Sequence, residues 1–398
     1  FFHYYLCRSG SGEMEVKMKE FSKKLLSTVL TLGVVLGYSC LASAKDNTAI
    51  TTINSTDKAG IQLTINDFFN IEKESLLNEN LIDSSKITTN EELRKSYNAE
   101  NKFNILWDQK LNEKITSYNY NIKYDSFQLK NGNCIVNARR DRSIVSNNFP
   151  GIVQESSDEK FSFVLGKKDN NWYIDSYANS EDDGFDKGQV SLEAVKPQVT
   201  NERSSKWEQN LQNIDKLVSD FKNITLNKDK DKDKNKNKNK NNNSSISLAQ
   251  YSGYNGMNAS EYAQKWANSF NPYYRDFTDQ GGDCTNFASQ AIHAGGVPYG
   301  LSWQPYTTAW VRVSTLRDYL VINNYGTEFP YVPYDYVGQL IQFYNPNYGD
   351  WHHSGILTYY SSNGDYLYCC HTYPKKNWPL SRVFPGTYSK IRVFRVYS

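Results

Sequence analysis

The chain shows no excess of charge of either sign. Its 45 Lys and Arg residues stand against 43 Asp and Glu residues, which leaves a formal net charge of +2 over 398 residues. No basic helix, RNA-binding motif or phosphate-cradling glycine loop accompanies this balance. Because nucleic-acid binding depends on a concentrated positive surface, we expect no nucleic-acid partner. The length is sufficient for two or three domains.

Histidine is scarce, with five in the chain, and neither a CxxC nor an HxxxH spacing occurs. The residues of metal-ligand type in the second half are adjacent to one another, and adjacent side chains on a strand diverge. They are His352, His353, Cys369, Cys370 and His371. A tetrahedral site would need ligands from both faces of a sheet. We therefore expect no metal and no other cofactor.

Only one segment is apolar enough to suggest a membrane. Residues 25–36 follow a lysine-rich stretch and precede the small residues Ala42-Ser43-Ala44. This order is typical of a secretory signal peptide, and the segment is too short for a stable span. We predict a signal peptide over residues 18–44, with residues 1–17 as an upstream, non-native segment. The protein is then secreted, extracellular and associated with the cell wall, with no membrane span after cleavage.

The cysteines are too few and too unevenly spaced for a disulfide framework. Cleavage after Ala44 leaves four of them, and a lipoprotein modified at Cys40 is disfavoured because no apolar residue occupies Gly37-Tyr38-Ser39. Cys369 and Cys370 are neighbours that point to opposite faces of a strand. We therefore expect at least one free thiol.

A charged, polar stretch divides the chain. Residues 228–245 contain no apolar residue, so they cannot bury surface to offset the entropy lost on ordering. We predict a flexible linker over residues 227–246, between an accessory domain at 50–226 and a second domain at 250–398. A polybasic tether to anionic wall polymers is the alternative, but aspartates neutralise nearly half of the positive charge.

The accessory domain is predicted to be α+β. Helical periodicity covers residues 65–78 and 207–221, and alternating patterns predict strands at residues 115–124, 126–130, 134–139, 160–167 and 172–174. Asn131-Gly132 and Asp169-Asn170-Asn171 supply hairpin turns. Helices leading into a curved antiparallel sheet resemble the cystatin-like or NTF-like folds, and we expect a positioning or binding role.

The second domain begins with a predicted helix. Asn258 followed by Glu261 is typical of a capping box. Tyr262, Trp266 and Phe270 recur at helical spacing, so we assign them to the core.

Cys284 is the candidate nucleophile. It follows Gly281-Gly282 and Asp283, and an apolar helical stripe begins at Phe287. Asp283 is a competent N-cap, which puts Cys284 in the first turn of a helix. Free amide groups and the helix dipole at that position favour the thiolate, so we expect a lowered pKa. The backbone N–H of Cys284 is also suited to stabilising an oxyanion.

A cysteine nucleophile needs a base, and His353 is the candidate. Residues 354–360 and 365–372 read as a hairpin. With a three-residue loop, His371 lies opposite Gly355 and on the face of His353, where it would orient the imidazole. A two-residue loop would instead put His371 on the face of His352. We choose the first register.

These residues resemble the putative amidase domain family of secreted Gram-positive proteins, which is similar to the NlpC-type and CHAP peptidoglycan hydrolases. The resemblance covers about 145 residues and implies a papain-like fold, with a helix-borne cysteine packed on an antiparallel sheet. It implies Cys284, His353 and a third polar residue, placed at His371, as catalytic. The residues that carry it include Tyr262-Ala263, Asn271-Pro272, the stretch 282–290, Ala294-Gly295-Gly296, the stretch 338–343, His353-Ser354 and His371-Thr372.

Two further residues are candidates for supporting roles. Gln280 is a candidate side-chain donor to the oxyanion, as in papain-like enzymes. Asp283 is a candidate counter-charge for substrate amino groups, although capping is the favoured role.

We therefore predict a monomeric, secreted thiol hydrolase that cleaves amide bonds through a thioester in a Cys-His-His mechanism. Peptidoglycan stem peptide is the expected substrate, because of the export signal and the family resemblance. The alternative is a non-catalytic cell-envelope binding protein with a degenerate papain-like domain.

Overall fold

The structure is a computed structural model that describes residues 53–183, 197–226, 253–333 and 336–397. The predicted signal peptide and the predicted linker lie outside the described residues, so both stay predictions. Within the described ranges, no helix combines the length and the apolar character that crossing a membrane requires.

The first half contains helices and long strands in the predicted order. Its helices are α1 (Ser55–Leu77), α2 (Glu91–Leu111), the short α3 (Ser180–Asp183), α4 (Pro197–Gln212) and α5 (Ile214–Thr225), and its strands are β1 (Ile115–Lys130), β2 (Asn133–Ser146), β3 (Gln154–Lys168) and β4 (Asn171–Asn179). The predicted helix at residues 65–78 and all the predicted strands are confirmed. Helix α2 was not predicted, although Asn90 caps it by accepting hydrogen bonds from Glu92 N and Leu93 N.

The two predicted hairpin turns are confirmed by their backbone angles. Asn131 and Gly132 have φ values of 53° and 82°, and Asp169 and Asn170 have φ values of 49° and 63°. Two consecutive residues with positive φ match the twist of the flanking strands, and Asn, Asp and Gly adopt this conformation most readily. The turns therefore fix the β1–β2 and β3–β4 registers.

The second half carries its helices first and its strands afterwards. The helices are α6 (Gly256–Trp266), α7 (Cys284–Ala294), α8 (Thr308–Val311) and α9 (Val313–Ile322), and the strands are β5 (Gly326–Phe329), β6 (Leu340–Asn345), β7 (Asp350–Tyr360), β8 (Tyr366–Cys370), β9 (Lys375–Pro379) and β10 (Lys390–Val396). The predicted capping residue of α6 is wrong. Asn255 caps this helix, by accepting hydrogen bonds from Met257 N and Asn258 N. The helix ends at Trp266, so Phe270 lies beyond it and is 45% exposed instead of buried in the core.

One antiparallel sheet of ten strands runs through the described residues. Its order is β1-β2-β3-β9-β8-β7-β6-β10-β5, and β4 pairs with β3 off this path. The two predicted domains meet where Glu155 pairs with Lys376 and Ser156 with Lys375. The α+β class is confirmed, because helices and a large antiparallel sheet are both present.

The strands of the second half have a different helical layer on each face. On the face that we call the α7 face, Phe287 and Ile292 of α7 pack with Leu340, Ile356 and Cys369 of the sheet. On the opposite face, helices α2, α4 and α5 pack against the sheet. The side chains that β6 and β7 contribute to this core belong to odd-numbered residues, and those of β8 and β9 belong to even-numbered residues. The core includes Trp107, Trp207, Phe221, Phe343, Leu357, Tyr368 and Trp378. Side chains that alternate along β6, β7 and β8 therefore enter different cores.

Candidate functional site

The candidate nucleophile is the first residue of α7, as predicted. Gly281 and Gly282 precede it with φ values of 101° and 106°, a conformation that favours glycine. A Cβ atom at Gly282 would lie 2.9 Å from Oγ1 of Thr372. The glycines therefore let the loop turn sharply and approach Thr372 closely.

The prediction that the Asp283 side chain caps α7 is wrong. Asp283 precedes the helix, but its side chain makes no capping hydrogen bond. Instead, Oγ1 of Thr372 accepts hydrogen bonds from Asp283 N at 2.7 Å and Cys284 N at 3.1 Å. The N–H group that we expected to stabilise an oxyanion is thus bonded to a hydroxyl from the segment after β8. Thr372 has a φ of 68°, which is costly for a β-branched residue.

The thiol of Cys284 lies in a nearly closed site, with 7% of the residue exposed. Burial raises the pKa of this thiol, whereas hydrogen bonds from Ser354 N–H, Thr285 and Thr372 lower it by less. The predicted lowering of the pKa is therefore wrong, because desolvation outweighs the donors at the helix start. The thiol therefore lies next to Ser354, which follows His353 in β7.

His371 forms a buried pair with Asp283. Its Nδ1 lies 2.7 Å from Oδ2 of Asp283, and its Nε2 lies 2.8 Å from the carbonyl oxygen of Trp266. A carbonyl oxygen only accepts hydrogen bonds, and so does a carboxylate, so the ring satisfies both partners when both nitrogens carry protons. The ring stacks on Phe287, with 4.2 Å between centroids. Both ring nitrogens of His371 are therefore occupied by partners on the α7 face.

Asp283 also fixes the loop in front of α7. Its Oδ1 accepts hydrogen bonds from Phe277 N at 3.0 Å and from Nδ2 of Asn286 at 2.8 Å. Gln280 is exposed, and its Oε1 accepts a hydrogen bond from Nη2 of Arg275 at 2.6 Å. Asp283 therefore joins three segments, whereas Gln280 lies on the outer side of the loop.

His353 points to the opposite face of the sheet. It is 1% exposed, and its ring centroid lies 5.8 Å from Phe343 and 5.9 Å from Tyr388, both in the core of that face. Phe343 is its cross-strand neighbour in β6, so both side chains leave the sheet on the same side. Ser354, the next residue, points to the α7 face.

The prediction that His353 and His371 share a face is wrong. Tyr360 pairs with Tyr366 as the three-residue loop requires, but Leu357 pairs with Tyr368 and Ile356 with Cys369. The register shift between these pairs adds one residue to β7, at Thr358. A bulge of one residue reverses the parity of every later position, so His371 lies on the α7 face and His353 on the other.

Polar side chains that were not predicted connect Cys284 to the sheet. Thr285 Oγ1 lies 3.8 Å from the Cys284 sulfur and 3.2 Å from Ser354 Oγ. Gln342 donates from Nε2 to Ser354 Oγ at 3.4 Å, and its Oε1 accepts a hydrogen bond from Nε of Arg392 at 2.8 Å. The sequence did hold a signal for these side chains. Each directly follows a candidate catalytic residue: Thr285 follows Cys284, Ser354 follows His353 and Thr372 follows His371.

The remaining candidate ligands are used elsewhere. The described cysteines are free thiols, so the expectation of at least one free thiol is confirmed. His352 stacks on Tyr348 at 3.8 Å between centroids, and His293 Nδ1 lies 2.9 Å from the carbonyl oxygen of Val297. Across the described ranges, no group of three His, Cys, Asp or Glu residues is arranged to hold a metal ion.

Residues 253–397 match the family model described as putative amidase domain. Two proteins of Bacillus subtilis (strain 168), both described as uncharacterized, are similar to parts of the chain. YjcM is 42% identical over 76 residues, which cover 19% of this chain and 18% of YjcM. YhbB is 40% identical over 77 residues, which cover 17% of this chain and 24% of YhbB. The chain thus spans less than a quarter of the length of either relative. The domain match indicates hydrolysis of amide bonds as the chemistry of the second half.

Proposed function

We propose that the protein is a thiol hydrolase that cleaves amide bonds with Cys284 as the nucleophile. The observation that carries the proposal is the position of Cys284, at the first residue of α7 inside the region that matches the amidase domain. Backbone N–H groups at a helix start suit a thiolate and an oxyanion alike. The hydroxyls and the N–H of Ser354 around the sulfur add donors for the same charge.

His353 is the proposed base. Both ring nitrogens of His371 already bond to acceptors, so that imidazole has no site for a further proton. His353 adjoins Ser354, whose N–H contacts the thiol. In the structure the ring of His353 leaves the sheet on the side of Phe343 and Tyr388, so a side-chain rotation alone does not bring it to the sulfur. The proposal therefore requires a shift of the β7 backbone at His353 before reaction. The His371–Asp283 pair holds the start of α7, so His371 acts as a positioning residue.

The reaction proceeds through a thioester. The Cys284 sulfur attacks the carbonyl carbon of the amide while His353 takes the thiol proton. The C–N bond then breaks, His353 returns the proton to the leaving amine, and water hydrolyses the thioester to a carboxylic acid and the free thiol. Cys284 N stabilises the oxyanion in both steps, which requires Thr372 Oγ1 to release this N–H group.

We propose further that the protein is exported and acts on peptidoglycan stem peptides at the cell wall. The signal-peptide pattern over residues 18–44 supports export, and the resemblance to secreted peptidoglycan hydrolases supports the substrate. The first half, whose sheet continues into the second, is proposed to position the substrate.

A specific observation favours a second function, binding without turnover. The thiol is nearly closed off, its pKa is raised by burial, and the adjacent N–H is bonded to Thr372. A non-catalytic cell-envelope protein would retain this arrangement permanently.

Zymography on purified cell walls separates the two functions. We expect clearing by the wild-type protein, loss of clearing in Cys284→Ala, and retained clearing in Cys134→Ala, which removes a buried thiol from the first half. Mass spectrometry of the released products should show new carboxyl and amino ends. Cell walls that bind the protein but yield no cleaved products would establish the binding function instead.

A further inference from the structure

A groove at the start of β10 contains a buried guanidinium, that of Arg392, which has no carboxylate within ion-pair distance among the described residues. The carboxylates of Glu328, Asp318 and Asp350 act on it from farther away. Arg392 is 8% exposed, and its Nε donates to Oε1 of Gln342 at 2.8 Å. In the part of the chain that the structure describes, this is the only hydrogen bond of the Arg392 side chain, and no carboxylate forms an ion pair with it. Burying an unpaired charge is costly, so such a group calls for a counter-ion.

The groove is large enough for a small molecule. Its volume is about 620 Å³, which lies within the usual range of ligand sites. Its walls are mostly apolar and include Ile224, Pro330, Trp351, Phe384 and Ile391. The centroid of the Trp351 ring lies 4.2 Å from the guanidinium carbon of Arg392, so a cation–π contact fixes the position of the guanidinium.

Two cations of the groove, Arg392 and Lys390, form no ion pair within the described residues, whereas Arg317 is paired with Asp318 and Glu328. Arg317, Lys390 and Arg392 line it together with one acidic residue, Glu328. Glu328 is already paired, because its Oε2 accepts a hydrogen bond from Nε of Arg317 at 2.8 Å. Lys390 is exposed and lies over the Tyr344 ring. Burial lowers the pKa of Arg392, whereas the more distant carboxylates of Glu328, Asp318 and Asp350 act in the opposite direction.

We propose that this groove binds the carboxylate of a small organic acid with an apolar or aromatic body. Because Gln342 uses Nε of Arg392, the two Nη groups are left to bind both oxygens of a carboxylate. Lys390 adds a second positive charge at the rim, and the apolar walls hold the body of the acid. Gln342 joins the groove to the hydrogen-bond chain that leads to Cys284, but Cys284 does not line the groove, and ligand binding there does not depend on amide hydrolysis.

Calorimetric titration of the full chain tests the proposal, with benzoate as the probe. Benzamide has the same shape without the charge, and inorganic phosphate has the charge without the apolar body. We expect saturable binding of benzoate, with benzamide weaker by at least about tenfold because one charged hydrogen-bonded pair is lost. Phosphate should bind more weakly than benzoate.

Variants identify the residues. Arg392→Met should weaken benzoate binding by at least about tenfold. Arg395→Met is the matched control on the same strand, where the guanidinium lies 5.0 Å from the Phe329 ring, and should stay within about twofold. Lys390→Gln changes an exposed residue, so it should fold normally and weaken binding about two- to fivefold.

Several outcomes would overturn the proposal. They are equal binding of benzamide and benzoate, tighter binding of phosphate than of benzoate, and unchanged benzoate affinity in Arg392→Met. Absence of saturable benzoate binding up to about 50 mM would also exclude the site, since this limit corresponds to a negligible affinity. If Arg392→Met fails to fold, unchanged affinity in Lys390→Gln counts against the proposal in its place.

Discussion

The hydroxyl of Thr372 lies 3.1 Å from the backbone nitrogen of Cys284 and 2.7 Å from that of Asp283. A side chain from the segment after β8 thus caps the helix that bears the nucleophile. The hydroxyl that caps the helix also blocks the proposed oxyanion site, because the N–H groups that it binds are those that an oxyanion would use.

Removing this hydroxyl should destabilise the fold. Thr372→Val keeps the shape of the side chain but leaves two buried N–H groups without an acceptor, so we expect a loss of about 1–3 kcal/mol in the free energy of unfolding. Thr372→Ser keeps the acceptor and should lose less than about 1 kcal/mol. Denaturant unfolding measures both. Thr315→Val is the control, because the hydroxyl of this half-buried residue donates only to the carbonyl oxygens of Thr308 and Arg312, and we expect a cost under about 0.5 kcal/mol. Equal losses at both threonines would refute the capping role.

The thiols should differ in reactivity in an order set by burial. Burial raises the pKa of Cys134 to about 11 and that of Cys369 to about 12, whereas Cys284 has a raised pKa together with donors around the sulfur. Because the thiolate is the reactive form, iodoacetamide at neutral pH should label Cys284 before Cys134, and Cys134 before Cys369.

Peptide mass spectrometry over a time course gives the order. The same raised pKa predicts that Cys284 labels more slowly at pH 7 than a free peptide cysteine, and that its rate continues to rise above pH 9.0, the ordinary value. A rate that levels off below pH 8 would contradict the burial argument.

The motif around the nucleophile was readable from the sequence because it is local. A glycine pair, an acid and an apolar stripe predict a helix that begins at Cys284, and the structure has this helix. The partners of that helix start were not readable in the same way. The bulge at Thr358 adds one residue to β7, and no local sequence pattern indicates it. An unbulged hairpin would have had His353 and His371 on one face.

The role of Asp283 was missed for a related reason. An aspartate before a helix most often caps it, and local reasoning can weigh only that role. The imidazole of His371 arrives from 88 residues away and takes the carboxylate, while Thr372 takes the N–H groups. Contacts between distant segments override local preference here.

Stability should fall as the pH rises from 4 to 7, through Asp365. This buried carboxyl forms no ion pair within the described residues, and burial raises its pKa from 3.8 to about 7. The folded state therefore holds a proton that the unfolded state has released between these values. The contribution of this group to stability is complete below pH 3.8 and is lost as the pH rises through about 7.

Asp365→Asn mimics the protonated acid and should flatten this part of the pH profile. Oδ1 of Asp365 accepts hydrogen bonds from Tyr366 N at 2.7 Å and Ser381 N at 3.2 Å, and the asparagine oxygen can accept the same two bonds while Nδ2 donates to Oγ of Ser381. Thermal unfolding between pH 4 and 8 compares the two proteins, with the exposed Asp350→Asn as control. Parallel profiles for wild type and Asp365→Asn would show that this carboxyl does not govern the dependence.

The junction between the two halves should depend on one buried lysine. Lys375 is 1% exposed, and its Nζ lies 2.8 Å from Oε2 of Glu181 and 2.6 Å from Oγ of Ser156. It lies three residues after Thr372 and pairs with Ser156 of β3. Lys375→Met leaves a buried carboxylate without its cation, so we expect a loss of about 3–5 kcal/mol in the free energy of unfolding.

The neighbouring residue provides the control. Lys376 pairs with Glu155 at 3.7 Å, and its side chain is 38% exposed, so Lys376→Met should cost no more than about 1 kcal/mol. Denaturant titration followed by tryptophan fluorescence measures both variants. Since Lys375 holds the strand that follows Thr372, Lys375→Met should also speed iodoacetamide labelling of Cys284, while Lys376→Met should leave the rate unchanged. An unfolding free energy that is the same for the two variants would mean that the buried pairs contribute nothing to joining the halves.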